Sequence, residues 1–359
     1  PMCDAAHLGL RDRAGISDLS TLAIFGVSGP GALACLQRLA VAQIDAPVGR
    51  VIYTSFLNPA GCIKADLTIM RLAHDRFRVV TGGLDGMRDK KWISDHLPED
   101  GSAHLADLTS AWSALGVWGP RARDVVSAAT EADVSNAAFP FATCQWIDVG
   151  PVRVLASRIS YVGELGWELY VPIEQGARLW DALWEAGRPF GLTPVGAGVY
   201  GTTARLEKGY RAYGNELELA YNLVESGLAR RPVKSEDFIG REAYLRQRDE
   251  PPAATLCTLT VDDNTAVSNG ISRAMTGREP ILTRDGQPIE DAHGRRSYVT
   301  SAGAGPSVGK TILMSYLPPQ YAKQGQKLLV EYFGDHFPVT VAVAGNRPLF
   351  DPMDQRLKS

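Results

Sequence analysis

The sequence repeats one strand, turn and helix pattern at a spacing of about ninety residues. FGVSGPGALACLQRL (residues 25–39) and LGVWGPRARDVVSAA (residues 115–129) each place an apolar run before a Gly-Pro turn, and apolar residues at helical spacing follow the proline. A second pair keeps the same offset, since residues 75–97 and residues 165–187 each read as a strand followed by a helix. Two matches at one period predict a duplicated pair of α+β halves. A chance match between common strand and helix units is the alternative.

Strands fill the sequence between the repeats, and a second strand-rich region follows them. Three runs between the repeats alternate between apolar and polar residues, as sheet strands do: RVIYTSFL, CIKADLTIMRL and VRVLASRI. A charged segment with two prolines, RQRDEPPAAT (residues 246–255), precedes a β-rich tail. We therefore expect an α+β fold. Residues 1–250 would form two related halves, about 20–110 and 111–250, and residues 252–359 a smaller β-barrel-like domain.

Charge and cysteine content exclude several functional classes. The 359 residues include 37 Lys plus Arg and 40 Asp plus Glu, so no strong field favours nucleic acid or an acidic membrane as a partner. No apolar run has the length of a membrane span, and no secretory leader opens the sequence. The five cysteines lie far apart without a CxxC pair, and the six histidines lack ligand spacing. We expect no disulfide framework, no metal site, and a location in the cytoplasm, or in the mitochondrial matrix of a eukaryote.

One short segment resembles a nucleotide-binding loop. AGPSVGKT (residues 304–311) fits the relaxed pattern with Ala in place of the first Gly. Such a loop lies between a strand and a helix, whereas the next residues, TILMSYLPP, have the pattern of a strand. The chain also has no G-x-G-x-x-G dinucleotide fingerprint. We therefore expect that any flavin belongs to a partner domain or subunit.

Two of the predicted strands carry polar side chains on one face only. Alternation along NPAGCIKADLTIM (residues 58–70) puts Asp66 and Thr68 on one face and the apolar residues between them on the other. Along WELYV (residues 167–171), Glu168 shares a face with Tyr170 in the same way. Judged by residue type alone, each pattern is also that of an ordinary solvated sheet face.

Five motifs in order give the chain a family resemblance. They are VIYTSFLN, GCIKADL, SRISYVGELGWEL, ARLEKGYRAYGNEL and DFIGREA. Together they resemble the folate-dependent family of the glycine cleavage T-protein, which includes the folate domains of dimethylglycine and sarcosine dehydrogenases. The likeness runs from about Leu8 to PLFDPMDQR (residues 348–356), and the Tyr-x-Gly-Glu hairpin is its most specific part. The resemblance implies three domains in a ring around a central folate channel, with a duplicated ferredoxin-like core and a C-terminal barrel.

The resemblance also implies which residues bind tetrahydrofolate. Glu168 matches the glutamate that accepts hydrogen bonds from the pteridine edge, where a carboxylate suits N–H donors. Tyr161 and Tyr53 match aromatic residues that line the ring. Tyr210 matches a tyrosine nearer the aminobenzoate end. Thr68 would support the neighbouring aspartate on the same strand face.

Asp66 is the catalytic residue that the resemblance implies. It matches the aspartate beside the N5 and N10 nitrogens of the folate, where it would orient the attacking nitrogen and accept its proton. Glu164 is the glutamate of the Tyr-x-Gly-Glu hairpin. We expect it to be a turn residue or to support the site from outside.

Two departures from the family pattern narrow the expected activity. Tyr200, in GVYGTTARLE, stands where the glycine cleavage T-protein has an arginine, which argues against aminomethyl-lipoyl chemistry and favours the amine-oxidising branch. The Lys-Gly-Cys signature of the iron–sulfur-assembly relatives reads Lys208-Gly209-Tyr210 here.

These observations predict a tetrahydrofolate-dependent one-carbon transferase. It would capture a formaldehyde-level carbon, as an iminium or as formaldehyde from a small N-methyl amine, and form 5,10-methylenetetrahydrofolate. The expected partner is a flavin-containing or other oxidative domain or subunit, because an internal route would keep a reactive electrophile out of bulk water. Two alternatives stay open: a demethylase that gives 5-methyltetrahydrofolate, and a folate-binding module without catalysis.

Overall fold

A computed structural model describes residues 2–265 and 273–359 of the chain. The helices are α1 (Met2–Asp12), α2 (Ala32–Leu39), α3 (Gly86–Ser94), α4 (Ala122–Ala129), α5 (Gly176–Gly187), α6 (Arg205–Glu207), α7 (Arg241–Asp249) and α8 (Gln355–Lys358). The strands are β1 (Ala14–Asp18), β2 (Ala23–Ser28), β3 (Val51–Leu57), β4 (Ile63–Ala73), β5 (Arg76–Thr81), β6 (His104–Asp107), β7 (Trp112–Trp118), β8 (Cys144–Val149), β9 (Val152–Ser157), β10 (Gly166–Pro172), β11 (Leu192–Pro194), β12 (Thr255–Val261), β13 (Ile281–Leu282), β14 (Val299–Gly305), β15 (Lys310–Leu317), β16 (Lys327–Tyr332) and β17 (Asp335–Ala344). A π-helical turn, Val199–Ala204, leads directly into α6.

The first two sheets share one topology. The first has the strand order β3-β4-β5-β2-β6, and the second has the order β8-β9-β10-β7-β1-β11. Helix α2 follows β2 and α3 follows β5, as α4 follows β7 and α5 follows β10. Each half is therefore a ferredoxin-like unit with one more strand in its meander, and β1 is inserted between β7 and β11 in the second half. The predicted α+β duplication is confirmed, while the domain boundaries near residues 110 and 250 stay a prediction.

The turn that opens each repeat depends on a glycine. Gly29 and Gly119 have φ angles of +114° and +129°, in the left-handed region that favours glycine. A Cβ atom would lie 2.4 Å from the Ser102 carbonyl oxygen at Gly29, and 2.5 Å from the Arg13 carbonyl oxygen at Gly119. Both positions therefore need glycine for conformation and for space.

Each of these sheets buries both of its faces. The outer face of the first sheet packs Phe25, Leu67 and Ile69 with α2 and α3, and the outer face of the second packs against α4 and α5. The two inner faces meet in a shared core that contains Met70 of the first sheet and Tyr170 of the second. Polar residues on the inner faces therefore lie between the two halves, although Asp66 and Thr68 stay partly accessible and Tyr53 is exposed.

The C-terminal strands form a six-stranded antiparallel sheet of order β13-β16-β17-β12-β15-β14. Backbone bonds from Val299 N to Glu279 O, 2.8 Å, and from Ile281 N to Ser297 O, 3.0 Å, join its two edge regions. The predicted barrel-like character is therefore confirmed. AGPSVGKT covers the end of β14, the turn and the start of β15, so the expected strand after it is also confirmed. No helix in the described ranges has both the length and the apolar character needed to cross a membrane.

Candidate functional site

The inner face of the first sheet presents Asp66 beside Tyr53. Strands β3 and β4 pair Tyr53 with Thr68 and Ser55 with Asp66, so these four side chains share one face. The Tyr53 hydroxyl donates to Asp66 Oδ2 at 3.1 Å. Thr68 lies one alternation further along β4 and makes no hydrogen bond to Asp66. The structure thus brings Tyr53 and Asp66 into direct contact and leaves Thr68 as their neighbour.

The pKa of the Asp66 carboxyl is raised towards neutral pH. Burial raises its pKa to about 7, the Tyr53 hydrogen bond and Arg88 act to lower it, and the charges of Asp89 and Asp85 raise it further. At neutral pH such a group is present in both protonation states. It can therefore accept a proton and release it again without a large free-energy cost.

Tyr53 shows that this part of the interface is hollow. The side chain is 40% exposed, yet burial, ahead of the charge of Asp66, raises the pKa of its hydroxyl well above the ordinary value. A ring that solvent reaches while protein atoms surround it lies on the wall of a recess. We call this space the inner recess and define it by Tyr53, Asp66, Tyr161, Glu168 and Tyr200.

Glu168 reaches the inner recess from the second sheet. It lies on β10 opposite Gly116 of β7, only 5% exposed, on the same face as Tyr170. The Tyr170 hydroxyl donates to Oε2, and no described residue donates to Oε1. Burial raises the pKa of Glu168 to about 7, with the Tyr170 hydrogen bond opposing it. One carboxylate oxygen therefore stays available to N–H donors of a ligand.

A row of aromatic rings runs along the recess. Tyr161, in the connection between β9 and β10, stacks on Tyr210 with ring centroids 5.9 Å apart and lies 5.3 Å from Tyr200. Tyr200 in turn stacks on Trp118 at 5.5 Å. The Tyr161 hydroxyl donates to the Arg211 carbonyl oxygen at 2.6 Å, which fixes the middle ring. Flat, immobilised rings of this kind bind planar ligands at low entropic cost.

Tyr200 is the recess residue whose position sequence reasoning missed. From the sequence, Tyr200 is interpreted only as the replacement of a family arginine. In the structure, the π-helical turn places its ring in the row of aromatic rings, against Trp118. Burial raises the pKa of its hydroxyl well above the ordinary value, and the charges of Glu168 and Asp66 act in the same direction. The phenol thus lies close enough to both carboxylates for their charges to act on it. Single-turn π segments are frequent at functional sites. In the sequence, only the two glycines of GVYG, on either side of Tyr200, indicate an irregular helix at this position.

Glu164 lies outside the recess in a buried ion cluster. It is fully buried, and both Arg11 Nη1 and Arg356 Nε donate to it at 2.9 Å. Arg11 Nη2 also donates to Glu207 at 3.1 Å. Tyr210 lies beside this cluster. Burial raises the pKa of its hydroxyl, the charges of Asp354 and Asp351 raise it further, and the charge of Arg11 lowers it. Glu164 therefore connects the hairpin to the first helix and to the C-terminal segment, behind one end of the ring row.

The sequence matches two families that account for most of the chain. Residues 1–234 match the GCVT N-terminal domain, and residues 269–351 match the glycine cleavage T-protein C-terminal barrel domain. The chain belongs to the glycine cleavage T-protein family. Membership of this folate-dependent, aminomethyltransferase-like family confirms the resemblance seen in the five sequence motifs.

Relatives within the glycine cleavage T-protein family are of two lengths. Mouse mitochondrial dimethylglycine dehydrogenase is 31% identical over 92% of this chain and 36% of its own length. The formaldehyde-forming 4-methylaminobutanoate oxidase of Paenarthrobacter nicotinovorans is 30% identical over 98% of this chain and 40% of its own length. The aminomethyltransferase of Halothermothrix orenii is 28% identical over 90% of this chain and 85% of its own length. The chain therefore spans less than half of the dehydrogenase and the oxidase that it resembles.

A solved structure supports the family fold. Aminomethyltransferase T from Bartonella henselae superposes with a TM-score of 0.81 over 97% of this chain and 89% of its own, at 22% identity. At this level of identity the match establishes the T-protein fold alone.

Proposed function

We propose that this protein is a tetrahydrofolate-dependent one-carbon transferase that captures a formaldehyde-level carbon and forms 5,10-methylenetetrahydrofolate. The observation that carries the proposal is the pair of near-neutral carboxyls, Asp66 and Glu168, which enter one recess from two different sheets. Buried carboxyls with strongly raised pKa values are typical of catalytic and ligand-binding sites, and the charges of both act on the hydroxyl of Tyr200 between the two sheets.

The residues of the inner recess fit tetrahydrofolate. Glu168 Oε1 has no donor among the described residues, and a pteridine edge offers N–H donors in the plane that a carboxylate prefers. Tyr161 and Tyr53 provide flat walls on two sides, and Tyr210 extends the row away from Glu168. When bound, tetrahydrofolate supplies the nucleophilic nitrogen that takes up the one-carbon unit.

Asp66 orients that nitrogen and accepts its proton. The Tyr53 hydroxyl fixes the carboxylate, so its remaining lone pairs have a defined direction. Its pKa of about 7 matches the requirement for a general base that must be reset after every turnover. The position of the recess between two packed sheets limits the access of bulk water to the electrophile.

The donor in this proposal is a small methylated amine that an oxidative partner converts to an iminium or to formaldehyde. Similarity to a dimethylglycine dehydrogenase and to a formaldehyde-forming oxidase supports this choice over aminomethyl transfer. The flavin would belong to a partner domain or subunit, in the cytoplasm or in the mitochondrial matrix of a eukaryote. Tyr200 favours the same branch, because it puts a neutral phenol where a T-protein arginine is expected.

The test is the mass of the folate product. The protein is incubated with tetrahydrofolate and low formaldehyde, and methylene product is measured above the uncatalysed condensation. We expect a catalysed rate that Asp66→Asn lowers by at least ~100-fold while tetrahydrofolate binding persists. A 5-methyl product formed from a methyl donor without oxidation would replace the proposal with the demethylase. Binding without any catalysed rate, in the wild type as in the variant, would leave only the regulatory module.

A further inference from the structure

A cluster of charged side chains lies behind Asp66, at the start of α3. Asp89 is fully buried, and Arg88 donates to its Oδ1 from Nε at 2.9 Å and from Nη2 at 2.7 Å. Arg88 Nη1 also pairs with Asp85 Oδ1 at 3.0 Å. The guanidinium lies over the Tyr213 ring at 3.6 Å, which fixes its plane. The cluster is thus rigid, and nothing in the proposed function uses it.

Thr81 connects this cluster to the catalytic strand. Its hydroxyl donates to Asp89 Oδ2 at 2.7 Å and lies 3.4 Å from the main-chain oxygen of Asp66. Both oxygens of Asp89 therefore have partners, one from Arg88 and the other from Thr81. A buried carboxylate with all its bonds made keeps one orientation, so its charge acts on Asp66 from a fixed position.

We propose that Asp89 is a positioning residue that, balanced by Arg88, sets how readily Asp66 takes up a proton. The role of Asp66 as the base rests on the function proposed above, whereas the electrostatic control of Asp66 is a property of the protein alone. This proposal assigns a positioning site that consists of Asp85, Arg88 and Asp89. The charges of these residues act on the Asp66 carboxyl through space, and Thr81 lies between Asp89 and the Asp66 main chain.

The charges around Asp66 support opposite roles for the two residues. From α3 and the turn before it, Asp89 and Asp85 disfavour the ionised carboxylate, and Arg88 favours it. From β3, the Tyr53 hydroxyl stabilises the ionised form. Among the described residues, the phenols of Tyr161 and Tyr200 also face Asp66, whose charge acts to raise the pKa of both hydroxyls.

Proton uptake by Asp66 relieves its repulsion with Asp89. The lone pair of the attacking nitrogen forms the new bond to carbon, and Asp66 then takes the proton from that nitrogen. The N–H bonding pair stays on nitrogen as its new lone pair, so Asp66 changes from anion to neutral acid. Asp89 therefore promotes acceptance of the proton, and Arg88 promotes its later release. Removing either residue should unbalance the cycle in its own direction.

The experiment is a direct titration of Asp66 that does not depend on turnover. Protein labelled with 13C at the aspartate carboxyl is followed by NMR against pH, and the Asp66 signal is assigned by its loss in Asp66→Asn. We expect Asp89→Asn to move the Asp66 midpoint down by about one pH unit, and Arg88→Gln to move it up. Asp95→Asn, the same change at an exposed position just after α3, is the matched control and should leave the midpoint in place.

Asp85→Asn guards against misfolding of the buried variant. Asp85 keeps 22% of its side chain exposed, so its replacement should be tolerated, and it should move the Asp66 midpoint down by less than Asp89→Asn does. Arg88→Lys, which keeps the charge, should restore most of the wild-type midpoint. If the Asp66 titration midpoint is the same in all of these variants as in the wild type, the inference is overturned.

A second measurement separates this inference from the proposed function. The acid limb of kcat/KM for methylene formation should follow the NMR midpoints of each variant. If the midpoints move in opposite directions while the rate profile does not follow, the electrostatic control stands and Asp66 is not the base. If neither moves, Asp89 has only a structural role.

Discussion

Replacing Glu168 with glutamine should stabilise the protein at alkaline pH while removing tetrahydrofolate binding. Glu168 is a buried carboxylate whose only described donor is the Tyr170 hydroxyl, and no cation in the described ranges pairs with it. Burying such a group disfavours its ionised form, which is the form that a ligand with N–H donors needs. Glutamine has nearly the same shape and can still accept from Tyr170, but it carries no charge.

The magnitude follows from the two pKa values of Glu168. In the fold its pKa is about 7, and in the unfolded chain the carboxyl has its ordinary value of 4.5. Because the folded value is the higher one, the unfolded chain loses its proton first, and stability falls as the pH rises from 4.5 to 7. The full difference corresponds to about 3 kcal/mol above pH 7 and to less than about 1 kcal/mol at pH 5. Glu168→Gln should recover most of that amount at pH 8 and little of it at pH 5.

Urea unfolding at pH 5 and at pH 8 measures this difference. Exposed Glu174→Gln, from the turn before α5, is the matched control and should shift neither midpoint. Tetrahydrofolate should raise the urea midpoint of the wild type and of Glu174→Gln, but not that of Glu168→Gln. An unfolding free energy for Glu168→Gln that falls at pH 8, or that rises equally at both pH values, would refute the reasoning.

Three further substitutions have expected outcomes of different kinds. Glu164→Gln should lower the unfolding free energy by about 3–5 kcal/mol in urea, because it leaves the buried Arg11 and the partly buried Arg356 without their shared carboxylate; a loss below about 1 kcal/mol would contradict the ion cluster. Tyr53→Phe should raise the pKa of Asp66 above about 7, since it removes the hydrogen bond that lowers it, and the carboxyl NMR titration would show an unchanged midpoint if the contact were absent. Gly116→Ala should cost about 1–3 kcal/mol in thermal unfolding and weaken tetrahydrofolate binding, because its Cβ atom would lie 1.9 Å from the Trp118 ring; normal binding by a stable variant would show that the ring row tolerates displacement.

The features that sequence predicted well are those with a period. The ninety-residue repeat predicted two similar halves, and the Gly-Pro turns at Gly29 and Gly119 begin their helices in the same way. Strand alternation predicted that Asp66 and Leu67 lie on different faces of their sheet, and that Glu168 and Trp167 do so too. Leu67 and Trp167 pack into the outer cores of the two sheets, which confirms both predictions. Such patterns depend only on neighbours along the chain, so a single sequence contains them.

The features that sequence could not predict depend on distant partners. The π-helical turn brings the Tyr200 ring onto Trp118, which lies eighty-two positions earlier in the sequence. The pairing of Glu164 with Arg356 spans 192 positions, and no local pattern distinguishes a buried glutamate in a glycine-rich turn from an exposed one. Asp89 has the same difficulty, because an aspartate on an amphipathic helix normally faces solvent.

The ion cluster at Glu164 also sets the order in which the site can be assembled. Arg11 and Arg356 are separated by 345 positions, and an Arg356 nitrogen donates to the Arg11 carbonyl oxygen. A contact of this range forms only after all of the intervening chain has been made, and contacts so distant in sequence form slowly. Helix α1 and the segment that carries Arg356 meet behind Tyr210, at one end of the ring row. A growing chain can therefore complete its first two sheets before this contact forms, but the end of the ring row beside Tyr210 is closed only after the segment that carries Arg356 has been made.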